Sequence, residues 1–216
     1  MTTPSVKPRL NPWDLPRTNL GKYISRRAAE LQSRYLAQDA TAKATLAQLR
    51  NGIRRPIGND VLAWGAIFDG FPPELAGRSD EPNRAEVAAH AALSLFAIHM
   101  QSAREPMHLN GVGLGRAVRR LSRSPDESDP SSPVMRRFHA LGTSVDLPET
   151  LHHARGLVQQ LRAAGIGLDY GRLAEDFAGL QSPERADGVR LRWARDLYRL
   201  DPTPNDDNPN ELKEEN

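Results

Sequence analysis

The stretch from Arg84 to Arg123 constrains this chain more than any other. It opens with RAEVAAHAALSLFAIHMQSA. Val87, Ala91, Leu95, Ile98 and Phe96 fall on one helical face, while Ala88, Ala92 and Met100 cover much of the rest. A helix that is apolar nearly all round belongs in the middle of a core, so the fold must be built around it. The chain then passes through a glycine-rich loop (Gly111, Gly113, Gly115) into a second helix of opposite character. There Leu114, Ala117, Val118 and Leu121 repeat at i, i+3, i+4 and i+7. Arg116, Arg119, Arg120 and Arg123 keep the same spacing two residues out of phase. Two residues turn about 200° on an α-helix, which predicts one core face and, opposite it, a face of arginines.

The same period recurs through the rest of the chain. Ile24, Ala28, Leu31 and Tyr35 predict a helix starting near Leu20, and Ala42, Leu46, Leu49 and Ile53 predict a second that Pro56 and Gly58 end. Asn59 or Asp60 is placed to cap a short helix from Val61 to Phe68, with Leu62 and Trp64 as its anchors. Pro82 or Asn83 starts the central helix. Beyond Ser122 the apolar positions are Met135, Phe138 and Leu141, then Leu147, Leu151, Ala154, Val158 and Leu161 behind a capping pair, Asp146 with Glu149. Gly165 and Gly167 stop that helix. Asp169 caps the next, with Tyr170, Leu173, Phe177 and Leu180 inward, and Ser182-Pro183 starts the last, with Val189, Trp193, Leu197 and Leu200 inward.

No segment alternates with the period of a strand, so the expected fold is all-α: two small helical bundles joined by a flexible connector. The expected division is a mobile arm over 1–19, an N-terminal bundle over 20–122, a connector over 123–133, a C-terminal bundle over 134–200 and an acidic, disordered tail over 201–216. The connector assignment follows from the proline-rich, acidic run SRSPDESDPSSP.

The chain's 216 residues suffice for one or two domains with a real core. It has no cysteine, which removes disulfides and thiolate metal sites and fits a reducing cytoplasm. The apolar run from Val87 to Met100 is interrupted by His90, Ser94 and His99 and is too short to span a bilayer, so no membrane role is expected. The formal net charge of +2 understates the chemistry. The segment Asp201–Asn216 holds six carboxylates and one lysine; without it the chain carries 28 basic and 21 acidic residues, a net of +7. Most of the basic residues are arginines, which suit bidentate phosphate contacts.

Several specific chemistries find no support. The glycine loop follows a helix and an irregular segment rather than a strand and lacks a Walker lysine, so a dinucleotide or phosphate-loop enzyme is excluded. Its glycines serve either a tight turn or a backbone phosphate contact at a helix start. His152 and His153 point about 100° apart on a helix, and His90 and His99 read as hydrogen-bonded core groups. No metal and no cofactor is expected. Glu175 and Asp176 sit on an ordinary amphipathic helix, and no nucleophile stands beside a base, so an enzyme is not expected.

The arginines remain. Arg50, Arg54 and Arg55, then Arg116, Arg119, Arg120 and Arg123, Arg136 and Arg137, Arg155 and Arg162, and Arg190, Arg192 and Arg195 all lie off the apolar seams. Pairing with glutamate along the helix explains Arg26, Arg34 and Arg185. It does not explain the 116–123 face, which has no carboxylate along its own helix.

In order, LFAIHMQS, MHLNGVGLGRAVRRL, MRRF, HARGLVQQLR, LDYGRLAEDF and VRLRWARDLY resemble the small subunit (B subunit, CasB family) of Cascade, the type I-E CRISPR surveillance complex. The likeness spans about residues 22–200. It departs from the family pattern at Gly113, where serine is more usual, and in the connector and both tails. The resemblance implies a non-catalytic all-α subunit of an antiviral ribonucleoprotein, present as two copies beside other Cascade subunits. Such a subunit helps hold guide RNA on target DNA and steadies the displaced single-stranded DNA. Carried over, the nucleic-acid-binding residues are Arg50, Arg116, Arg119, Arg120, Arg136, Arg137, Arg155 and Arg162; charge adds Arg54 and Arg55. Guide pairing reads the sequence in such complexes, so the small subunit needs only to hold backbone.

Two other classes stay open. A helical DNA-binding regulator needs base-reading Asn or Gln beside its arginines, and the 114–123 helix offers only Arg and Ser. A protein-interaction scaffold explains the helices but leaves the arginine face idle.

Overall fold

The computed structural model describes residues 17–53, 55–122 and 132–198. Most of the expected arm, connector and tail, together with Arg54 and Arg123, lies outside the described residues. Among the described residues the fold is all-α. The helices are α1 (Asn19–Leu36), α2 (Ala40–Gly52), α3 (Trp64–Phe68), α4 (Arg84–His99), α5 (Leu114–Ser122), α6 (Pro133–Thr143), α7 (Leu147–Ala163), α8 (Tyr170–Leu180) and α9 (Pro183–Tyr198). An isolated parallel bridge joins His108 to Leu168. Among the described residues no helix is long and apolar enough to cross a membrane.

The central helix is α4, as its composition demands: every residue from Ala88 to Met100 is buried. Asn83 starts it with a capping box, its side chain accepting the Ala85 and Glu86 amides while Glu86 accepts the Asn83 amide. Around α4 the helices sort into two spatial groups that do not follow chain order. α8 packs against α1 and α4, alongside α2 and α3, whereas α5 packs against α9, α6 and α7. The pairs α4–α7 and α8–α9 join the groups, and one continuous apolar cluster runs through both.

Asp169 knits these parts together. Wholly buried, it caps α8 through the Arg172 amide and accepts the Gly111 amide at 2.7 Å. It also pairs with Arg17, which binds Ser25 and Asn110 as well. The glycine loop is therefore a pinned turn. Two of its amides are already used, Gly111 by Asp169 and Val112 by the Leu109 carbonyl.

The short helix after Asp60 departs from expectation. Residues 61–63 form a 3₁₀ turn, which shifts the phase of the side chains that follow. Ala63, Ala66 and Ile67 become the buried positions, and Leu62 and Trp64 are exposed at 65% and 41%. Asp60 caps nothing with its side chain. Its carboxylate instead meets His90 Nε2 at 3.0 Å in the interior.

Candidate nucleic-acid interface

Arg55, Arg137 and Arg155 meet at one cleft of about 790 Å³. It opens between the end of α2 with its following turn, the first half of α4, and α7. Ile53, Ile57, Val87, Ala91, Leu147 and Leu151 give it an apolar share of its lining; His152 and Gln159 join the arginines in the polar share. No carboxylate is among the described residues that line it. His90 also reaches the cleft, held by Asp60 behind it.

Local packing explains why these cations converge. Arg137 leaves α6, which packs along α7. A Cβ built on Gly156 would fall 2.6 Å from Arg137 Nε, so only glycine leaves room for the guanidinium to lie across α7 beside Arg155. Leu147 and Leu151, expected as core, are only half-buried because they face this cleft.

A second pair gathers at the C-terminal end of α4. Arg50 Nη1 donates to the Ala97 carbonyl at 3.4 Å, and Arg162 Nη1 donates to Gln101 Oε1 at 2.8 Å. Partial burial lowers the pKa of Arg50; Tyr35 opposes that shift and the neighbouring Arg162 adds to it. Cations near a helix C-terminus are favourably placed against its dipole.

The α5 arginines do not form one outward face. Arg120 is exposed and Arg116 half-buried, but Arg119 is buried at 8% exposure. The cause is α9. A Cβ on Gly115 would lie 2.2 Å from the Trp193 carbonyl and 2.8 Å from Asp196 Cβ. Gly115 and Arg119 share a helix face at i, i+4, so the helix that comes this close covers both. Arg136 is exposed on α6, which neighbours α5. Arg192 is committed elsewhere, to Asp176, whose other oxygen accepts Trp193 Nε1 at 2.6 Å. Burial raises the Asp176 carboxyl, against the opposing pull of Arg192 and Trp193.

His99 is the hydrogen-bonded core group expected, its Nδ1 2.8 Å from the Tyr170 hydroxyl. Burial lowers it to about 4. Among the described residues no cluster of His, Asp and Glu could hold a metal ion.

The sequence reading missed the apolar part of the lining and the role of Gly156. A glycine in the middle of α7 was the available signal, because inside a helix it usually marks a close approach.

Comparison with known proteins bears on what such a cleft serves. The family model for CRISPR-associated protein Cse2 matches residues 45–198. A crystal structure of CasB from Thermobifida fusca is similar at 36% identity, covering 85% of this chain and all of that one, with a TM-score of 0.73. Two structures from Thermus thermophilus share the fold at 24% identity: a CRISPR-associated protein of the Cse2 family (TM-score 0.61) and a CasB (TM-score 0.56). Each covers 82% of this chain and 97% of its own. No curated protein sequence matches. With most of its length matched by the family model and more than a third of its aligned residues identical to a solved relative, the chain belongs to the CRISPR-associated Cse2 (CasB) family of Cascade small subunits.

Proposed function

We propose that this protein is a non-catalytic, nucleic-acid-holding small subunit of a cytoplasmic RNA-guided surveillance complex. In this role it contacts guide RNA, target DNA and the displaced single strand, beside other Cascade subunits and a second copy of itself. The observation that carries the reading is the convergence of Arg55, Arg137 and Arg155 on one cleft whose described lining holds no carboxylate. Like charges so gathered repel one another unless an anion compensates them. Arg50 and Arg162, the exposed Arg120 and Arg136, and the half-buried Arg116 extend the cationic surface; Arg54 joins them by charge, while Arg119, carried over from the family, is buried beneath α9. Exchange of a DNA duplex for a guide hybrid is nearly balanced in energy, so modest backbone contacts bias it. The test is the lifetime of the target-bound state in the assembled complex. Replacing Arg55, Arg137 and Arg155 by alanine shortens it about tenfold or more if they hold backbone; an unchanged lifetime rejects the reading.

A protein-contact role for another surface is favoured by a separate observation. Val61, Leu62 and Trp64 stand exposed together on one short segment, and an exposed apolar group of this kind suits contact with another protein.

A further inference from the structure

We infer that the arginine cleft accommodates an unpaired nucleobase as well as the phosphates beside it. The inference rests on the nucleic-acid reading and specifies which part of the strand enters.

Charge alone does not account for the site. Phosphates need only donors and cations, and a convex arginine surface would supply them. This cleft is lined by Ile53, Ile57, Val87, Ala91, Leu147 and Leu151 as well as by its arginines. Apolar surface left open to water is unfavourable by about 25 cal/mol per Å², so an occupant with an apolar face gains by entering. At about 790 Å³ the cavity lies within the range of small-molecule sites, with room for a base and its sugar. Guanidinium planes stack on aromatic rings as well as binding phosphate, and both Arg137 and Arg155 are only partly buried. His152 and Gln159 offer polar atoms to a base edge. A ligand that is apolar and flat at one end and anionic at the other matches all of these features.

The geometry also selects the state of the strand. In an intact duplex the bases are stacked and paired, and extruding one costs a few kcal/mol. A single strand presents its bases at little cost. The cleft therefore favours unpaired DNA or RNA over duplex.

The test uses the full chain and two probes of equal charge: a ~12-nucleotide thymidine strand and an abasic sugar–phosphate strand of the same length. Fluorescence anisotropy at one fixed salt concentration gives both affinities. The thymidine strand binds about tenfold tighter to the wild type. Leu151→Ser brings the ratio of the two affinities most of the way to one; Val87→Ser, on α4 rather than α7, does the same and serves if Leu151→Ser melts early. Arg137→Ala weakens both probes. Equal binding of the two probes to wild type overturns the base pocket and leaves the phosphate reading standing. Binding of neither overturns both. Displacement of the thymidine strand by a poly-glutamate peptide of equal charge at the same concentration as an unlabelled thymidine strand assigns the cleft to acidic peptide and overturns the inference.

Discussion

The side chain of Arg137 lies against the backbone of Gly156, so close that a methyl group there would sit 2.6 Å from Nε and 2.8 Å from Cζ. One helix thus donates a cation to the surface of the next, and Arg137 reaches the cleft already occupied by Arg155. Gly156→Ala should displace Arg137 without unfolding the chain. Alanine in place of glycine strengthens a helix by about 1 kcal/mol, and a flexible arginine can swing aside. The expected outcome is an unchanged or slightly raised melting temperature with about threefold to tenfold weaker single-strand binding, the loss of one well-placed contact. A melt that holds with affinity that also holds would show that the Arg137 position does not matter to binding.

Asp176 is buried and bonded to both Arg192 and the Trp193 indole. Asp176→Ala leaves that indole N–H unsatisfied and removes the partner of a half-buried guanidinium. It should destabilise the fold by about 3–5 kcal/mol. Asp176→Asn keeps an acceptor for the indole and should cost less. Urea unfolding of both variants checks the order, and equal losses would contradict it.

Acidification should weaken the fold through His99. Burial is the main cause of its low pKa of about 4, against an ordinary 6.5; the Ile166 carbonyl opposes the shift and Arg162 adds to it. The unfolded chain therefore takes up this proton near 6.5, and the folded chain resists it until about 4. Stability from this group is complete above 6.5 and is lost as pH falls toward about 4, at about 1.4 kcal/mol per pH unit. His108 is shifted the same way by burial, against Asp169. Asp176, raised by burial, works in the opposite sense, its contribution growing on acidification. Comparing wild type with His99→Gln cancels the other groups. Between about pH 7 and pH 4.5 the wild type should lose roughly 2 kcal/mol more than the variant; parallel losses would refute the assignment.

Most of the fold could be read from the sequence because α4 left little choice. A helix apolar on every side has to be central, and the seams of α1, α2, α6, α8 and α9 fall where the 3.6-residue period puts them. What the period could not supply was how the helices lie against one another. Nothing in the local pattern of α5 says that α9 crosses it at Gly115, so Arg119 reads as exposed when it is buried. Leu62 and Trp64 mislead for a different reason, a 3₁₀ turn that resets the phase. Among the cleft arginines the charges were legible, but their convergence depends on contacts between α6 and α7 and on the α4–α7 junction. Those contacts bring together residues from 53 to 159.

On the 61–64 segment Val61 and Leu62 stand 61% and 65% exposed, and, unlike Trp64, whose indole donates to the Ile57 carbonyl, they give the fold no evident benefit. Leu62→Ser should leave the melting temperature within about 1 °C of wild type, as surface changes usually do. If the segment meets a neighbouring subunit, the same change lowers incorporation into the assembled complex, read by co-purification. Full incorporation would remove this surface from consideration.

The most direct test of the cleft is the salt dependence of single-strand binding by the full chain. Each phosphate contact on a single strand contributes about 0.7 to the slope of log K against log salt. Replacing Arg55, Arg137 and Arg155 together by alanine should flatten that slope by about 2, and should do so without changing the helical content of the chain. A slope that stays the same in the triple variant, or a wild type that binds no single strand even at low salt, would contradict the claim that this cleft holds nucleic-acid backbone.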